Sequence, residues 1–349
     1  MDLRTKTTCL ILLFLTTLSF SQNRPPVTFS QDVANKKIDV LIDGKLFTSY
    51  WWPDTLMKPV LYPVFTPSGK EITRGYPIAP RPGDRADHPH HVGIWLNYGN
   101  VNGVDFWGNS YAQPLERRQS KGGRIANEQA LVLSEGDGEG KMSALCTWKG
   151  PGGQHMLYET TTFHIIAQDG LWILDRTTIL AAGKEDMAFN DTKEGMYAIR
   201  LRRELELPSK GRATLIDDNG KPQRHDKDPG NGVSGDYLSS EDVTGGQVWG
   251  TRARWMRLSG TVEGEKVSVA MIDHPDNPNY PTYWHARGYG LFSLNPFGVK
   301  DFTKGKEELN FILKKGEKVI MKYRLVVFSG EEEMSKDEID KLADEFGRK

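Results

Sequence analysis

Short runs of alternating apolar and polar residues, punctuated by glycine-bearing turns, fill most of the chain. Lys37–Ile42 and Lys45–Trp52 flank Asp43-Gly44, a dipeptide that suits a primed hairpin turn because both positions tolerate positive φ. Met156–Ile166 and Leu171–Leu180 flank Gln168-Asp169-Gly170, Arg254–Val262 and Lys266–Ile272 flank Glu263-Gly264, and Glu308–Leu313 and Lys318–Phe328 flank Lys315-Gly316. Ala213–Asp217 runs into Asn219-Gly220, while Leu131–Ser134 and Met142–Trp148 bracket a glycine-rich turn. Tyr197–Leu207 and Tyr289–Leu294 are further candidates. Roughly a dozen strands in series with no helices alternating between them predict an all-β fold. The expected architecture is a large antiparallel β-sandwich of the supersandwich type.

One helix is expected, at the end. Ser335 with Glu338 three residues on forms a capping box, and Ile339, Leu342 and Phe346 then share a face, which predicts a helix over about 335–347 packed on a sheet. Two stretches, about 53–128 and about 217–253, lack strong periodicity. Loops that long in a compact domain tend to carry function. Gly150-Pro151-Gly152-Gly153 reads as a turn, so residues 22–349 are expected to form a single domain.

Residues 1–21 have the three parts of an export signal. Arg4 and Lys6 give a positive start, Cys9–Leu15 an apolar middle, and Ser19-Phe20-Ser21 a small-residue site ahead of a cut before Gln22. The apolar stretch is about ten residues, well short of the roughly 20 that span a bilayer. An exported protein, periplasmic or secreted, with no membrane span in the mature chain is the expectation. Cleavage removes Cys9 and leaves Cys146 alone, so no internal disulfide is expected even though export would allow one. Formal net charge is −1 with no long basic block, which argues against nucleic acid as a partner. Nine tryptophans in a polar chain suit a carbohydrate ligand, whose rings stack on aromatic faces, and equally suit a β core.

Candidate chemistry concentrates where histidines do. Five of the eight histidines fall in two short places. The first is Asp87-His88-Pro89-His90-His91, continuing through Trp95 to Asn102, Asp105 and Trp107; the second is His274, then Tyr283-Trp284-His285 and Arg287. Imidazole transfers protons near neutral pH and ligates metals. In extended backbone His88 and His90 share a side, with His91 opposite. Three uses follow. A divalent metal, if bound, would take His88, His90 and a remote His274 or His285. A metal-free acid/base site would draw on His88, His90, His91 or His285 with Asp87 or Glu194 orienting or assisting. Alternatively the histidines bind a long loop to its scaffold. Trp95, Asn102, Asp105, Trp107, Lys193, Tyr283, Trp284 and Arg287 are the expected substrate contacts, with Arg287 suited either to clamping a carboxylate or sulfate or to pairing with a loop acid. There is no GxSxG, phosphate-cradling glycine loop, CxxC or HExxH, so acyl-transfer, nucleotide and zincin readings have no motif. No cofactor is predicted.

These residues resemble the exported PmoA-like family. The matching segments are Asp87-His88-Pro89-His90-His91 with Gly93 and Trp95, and Val101-Asn102-Gly103-Val104-Asp105-Phe106-Trp107-Gly108. Asp191-Thr192-Lys193-Glu194-Gly195 with Ala198-Ile199-Arg200, Arg287-Gly288-Tyr289-Gly290-Leu291-Phe292 and Asn295-Pro296-Phe297-Gly298 also match, so the likeness runs from about residue 36 to about 330. The resemblance implies a shared fold and shared site residues, not methane oxidation. The closing pattern Leu309–Leu313, Lys315-Gly316-Glu317 and Lys322–Phe328 looks like the end of galactose-mutarotase-like supersandwich proteins. By that fold-level analogy the chain would be a carbohydrate epimerase, lyase or hydrolase; the alternatives are a non-catalytic glycan-binding module and a metal-dependent lyase or oxidoreductase.

Overall fold

Alternation of side chains on paired strands builds two stacked antiparallel sheets. A computed structural model describes residues 24–168 and 170–348; the export signal read at residues 1–21 lies outside the described residues. The first sheet has nine strands, in the order Tyr283–Trp284, Leu291–Asn295, Gly195–Arg200, Ile94–Tyr98, Val60–Val64, Lys45–Trp51, Lys37–Ile42, Pro26–Asp32, Gly136–Asp137. The second has eight: Asp236–Ser239, Trp255–Val262, Glu265–Asp273, Lys318–Gly330, Leu171–Ala182, His155–Gln168, Glu139–Lys149, Arg124–Ser134. The hairpin at Asp43-Gly44 has both residues at positive φ, 51° and 71°, and Glu263-Gly264 repeats the arrangement at 50° and 85°. This is the primed geometry whose twist matches the flanking strands.

Inward-facing residues of both sheets meet in one apolar core. Ile38, Val40, Leu96, Ile199 and Phe292 come from the first sheet; Met142, Trp148, Phe163, Leu174 and Leu325 from the second. Cys146 is buried there as a free thiol, so the sandwich is held by burial, each large side chain contributing about 1.5–3 kcal/mol.

The terminal helix, Lys336–Gly347, starts where the sequence predicts. Ser335 accepts the Glu338 amide at 3.3 Å, and the Glu338 carboxylate accepts the Ser335 amide at 2.7 Å. Ile339, Leu342, Ala343 and Phe346 pack on Ile173, Trp255, Ala270, Ile272 and Val326, on the outer face of the eight-stranded sheet. Arg324, paired in the interior with Asp175 at 2.6 Å, donates to the Leu342 carbonyl and fixes the helix end. Among the described residues no helix is long and apolar enough to cross a membrane.

The stretch 53–128, read as lacking periodicity, differs from expectation. It contributes two adjacent strands within the nine-stranded sheet, Val60–Val64 and Ile94–Tyr98, and a short helix, Leu115–Lys121. The candidate strand Tyr197–Leu207 ends at Arg200 and turns into a single 3-10 turn at Arg203–Leu205.

Candidate functional site

Strand parity decides what the outer face of the nine-stranded sheet presents. Ile94 and Leu96 enter the inter-sheet core, so Trp95 between them points outward; Ile199 and Phe292 point in, so Ala198 and Leu291 point out. Val60, Tyr62, Val92, Trp95, Trp107, Ala198 and Leu291 form a second apolar cluster there, with Trp51 and Tyr289 packed against it. Gly93 permits the approach. It lies at φ +58°, and a Cβ on it would come within 2.2 Å of the Leu61 carbonyl oxygen.

The loop carrying the histidines is pinned over this cluster by arginines. Arg74, only 1% exposed, donates to the carbonyls of Arg85, Asp87, His88 and His91 at 2.8–3.0 Å, and to the Asp87 carboxylate at 2.7 Å. Arg200, fully buried, donates to the same carboxylate oxygen at 2.6 Å and meets His91 Nδ1 at 3.2 Å. The loop base is tied by Arg85 to Glu206 and Asp228 at 2.8 and 2.7 Å. Held this way, His88 adopts a positive φ of 41°, a region rarely occupied by residues other than glycine.

The rings form a column. His88 stacks on His91 (centroids 4.9 Å apart, planes at 3°) and on Tyr289 (5.2 Å, 8°), and His91 stacks on Trp95 (5.2 Å, 18°). His90 meets His91 edge-on at 4.4 Å, and Trp107 lies 6.2 Å from His285. His88 Nδ1 is 3.3 Å from Asp87 Oδ2, and its side chain is 42% exposed. His88 is thus an imidazole oriented by a carboxylate on one edge and open to solvent.

The other three imidazoles are kept neutral. Burial, with nearby Lys58, His88 and arginines, pushes His90 down to about 2. Burial, with His90 and Arg200, drives His91 well below its usual value. Burial, with Arg287 and Lys193, lowers His285 to about 3. Because Arg200 donates to His91 Nδ1, the ring proton of neutral His91 sits on Nε2, which has no protein partner. The indole N–H groups of Trp95 and Trp107 and His285 Nδ1 also lack one. Burial opposes the Asp87 carboxylate, but Arg200, the His88 hydrogen bond and Arg74 outweigh it and hold its pKa well below the usual range.

Those shifts fix a pH dependence. His90, His91 and His285 are neutral when folded but take protons near pH 6.5 when unfolded, so the unfolded chain binds more protons just below that pH. The stability they contribute is present above about pH 6.5 and is lost as pH falls toward 3, by up to about 1.4 kcal/mol per pH unit for each group. Thermal unfolding followed from pH 7.5 to 5 should show this fall, with a shallower slope for His91→Gln. A flat wild-type profile would mean that the imidazoles accept protons inside the fold.

Of the residues expected from sequence, Asp87, His88, His90, His91, Trp95, Trp107, His285, Lys193, Glu194 and Arg287 gather here. Lys193 and Glu194 pair at 2.9 Å, and the Lys193 backbone hydrogen-bonds the His285 ring. Asp105 sits at the edge, accepting the Gly108 amide and Arg117. Trp95 and Trp107, expected to stack on sugar, are 1% and 2% exposed and instead floor the site.

Four residues lie elsewhere. His274 packs edge-on against Phe346 of the terminal helix, 5.0 Å between rings, on the opposite outer face of the sandwich. The set His88, His90, His274 and His285 is therefore not assembled, and among the described residues no group of three His, Cys, Asp or Glu is arranged to hold a metal ion. Trp284 faces the inter-sheet core, its indole donating to the Ala253 carbonyl. Tyr283 stacks on Phe302, and Asn102 is spent on Asp186 and Ala188. Trp284 lies between Tyr283 and His285 along the chain, so alternation turns it inward.

Lys58, Arg74, Arg200 and Tyr289 complete the site without having been singled out as site residues. Lys58, buried, donates to the His90 carbonyl at 2.6 Å and lies over the Trp95 ring; burial brings its amine down to about 7, with Asp105 opposing. Arg200, two residues from Ala198, shares its outward parity. An open groove of about 650 Å³ shares Trp51 and Tyr62 with the outer-face cluster and is lined also by Lys37, Ser49, Asp54 and Pro63. Trp51 and Tyr62 stack at 6.3 Å.

The sequence profile of a family of unknown function (DUF6807) matches residues 37–344. No curated protein matches. Among solved structures, the Slr1438 protein from Synechocystis sp. PCC 6803 is 12% identical, with 90% of this chain and 99% of that one covered and a TM-score of 0.34. A GH36 alpha-galactosidase, AgaA, from Geobacillus stearothermophilus in complex with stachyose is 10% identical, covering 88% of this chain and 41% of that one at 0.40. The alpha-galactosidase from Lactobacillus brevis is 9% identical, covering 89% and 39% at 0.34. The chain spans about two fifths of the length of these two galactosidases.

Proposed function

The chain belongs to the DUF6807 family of unknown function, and we propose that its outer-face site binds a saccharide and moves a proton on it through His88. The observation that carries the reading is the His88–Asp87 pair. One imidazole nitrogen faces a carboxylate that two buried arginines keep ionised, the ring is clamped between Tyr289 and His91, and its side chain is exposed. A general acid/base needs orientation by a partner and access to substrate, and His88 has both. His90, half-buried, and His91 and His285, buried, are held neutral and serve as walls and hydrogen-bonding groups instead. The groove with Trp51 and Tyr62 beside Lys37, Ser49 and Asp54 offers aromatic faces next to polar groups, the mixture a sugar chain needs. The export signal read in residues 1–21 would put this activity outside the cytoplasm.

The test is a panel of neutral and acidic oligosaccharides incubated with purified protein, scored separately for binding and for product. At least one member should be converted, and conversion should survive EDTA because proton transfer by His88 and Asp87 requires no metal. Binding without product on every member would leave a glycan-binding module. Loss of conversion on chelation, restored by a divalent ion, would replace the acid/base reading with a metal-dependent one.

A further inference from the structure

We propose that the saccharide taken by this site carries an acidic substituent, a carboxylate or a sulfate, and that Arg287 receives it; this rests on the saccharide reading above. The guanidinium of Arg287 lies over the rings of Trp249 and Tyr289, 5.7 Å from each centroid. Among the described residues its side chain has no ion pair and no hydrogen bond. Two ring faces hold the fork in position yet give its five N–H groups no acceptor. The side chain is half-buried, so a ligand can reach it. Beside it the indole N–H of Trp249 is another donor with no protein partner.

The acids that could have answered Arg287 are engaged. Asp87 is shared by Arg74 and Arg200, Glu194 pairs with Lys193, and Asp105 is held by the Gly108 amide and the exposed Arg117. Lys58 also lacks a carboxylate within ion-pair distance, its amine donating only to the His90 carbonyl. Arg74 also has Asp84 nearby and Lys193 has Asp301. Of Arg74, Arg200, Arg287, Lys58 and Lys193, that leaves Arg287 and Lys58 as the two with no carboxylate in ion-pair distance among the described residues. Burial that lowers Lys58 to about 7 is the mark of a cation without its counter-charge. An anion of planar or tetrahedral oxygens is the ligand that answers the unpaired Arg287 fork. Tyr289 touches both Arg287 and His88, so an acid group on Arg287 brings its sugar ring alongside the His88 edge.

The experiment is calorimetric titration of the full chain with uronate oligosaccharides, sulfated oligosaccharides, their neutral counterparts and inorganic sulfate, repeated on Arg287→Gln and Arg287→Lys. Acidic sugars should bind at least about tenfold tighter than neutral ones, and Arg287→Gln should erase that preference. Arg287→Lys should restore part of it. The uronate and sulfated arms identify which group is read. Equal affinity for neutral and acidic sugars, or a preference that survives Arg287→Gln, overturns the inference and leaves the saccharide reading intact. Arg287-dependent sulfate binding with no saccharide bound keeps the anion site and removes the saccharide reading; no binding in any arm removes both.

Discussion

His88→Ala is expected to lower kcat by about 10²–10⁴-fold on any saccharide the protein converts, with KM and the binding constant little changed. His88 is the imidazole in the site whose side chain is substantially exposed and whose ring meets a carboxylate, at 3.3 Å from Asp87. Removing the ring removes the proton carrier but not the walls of the site: His91, Trp95 and Tyr289 are held by other contacts. Asp87→Asn should act through orientation. It keeps a side chain of the same shape, discharges the group facing Arg74 and Arg200, and should depress kcat while moving the pH profile of kcat/KM. His88→Gln, which hydrogen-bonds but does not shuttle a proton in this pH range, should resemble the alanine variant. An unchanged kcat for both His88 variants would mean that the ring lines the site and transfers nothing.

Arg74→Ala should destabilise the fold by about 3–5 kcal/mol. The guanidinium is 1% exposed and is the common partner of four loop carbonyls and the Asp87 carboxylate. Deleting it strands buried acceptors in a dry interior, where each unsatisfied group costs about 1–3 kcal/mol. Arg200 still pairs with Asp87, which limits the loss. Lysine should not rescue, because a point charge does not reproduce the planar fork that spans several acceptors. Denaturant titration gives the magnitude, and limited proteolysis should cut the variant first between residues 85 and 93. A loss below about 1 kcal/mol would mean that the loop holds its course without this arginine.

The sheets were legible because their strands are wet on one side. Lys37–Ile42 alternates buried and half-buried positions, and its turn dipeptide matches the observed φ values. Ile94–Tyr98 was not legible for the opposite reason. All five of its residues are buried, since the histidine loop covers the outer face that would otherwise be polar, and no alternation survives to be read. The histidine loop stood out by composition alone. Its partners did not, because a lysine or arginine in a polar chain looks solvated until the fold shows it 0–5% exposed, as Lys58, Arg74 and Arg200 are. His274 misled for a related reason. Its neighbour Asp273 ends a strand of the other sheet, so histidines eleven residues apart went to different sheets.

Because the terminal helix docks on the far sheet, anything joined after it points away from the histidine loop. A linker, a reporter or a solid support attached there would leave the histidine-bearing face toward the medium. Immobilised this way, the protein should meet even long polymeric ligands without obstruction from its own tether.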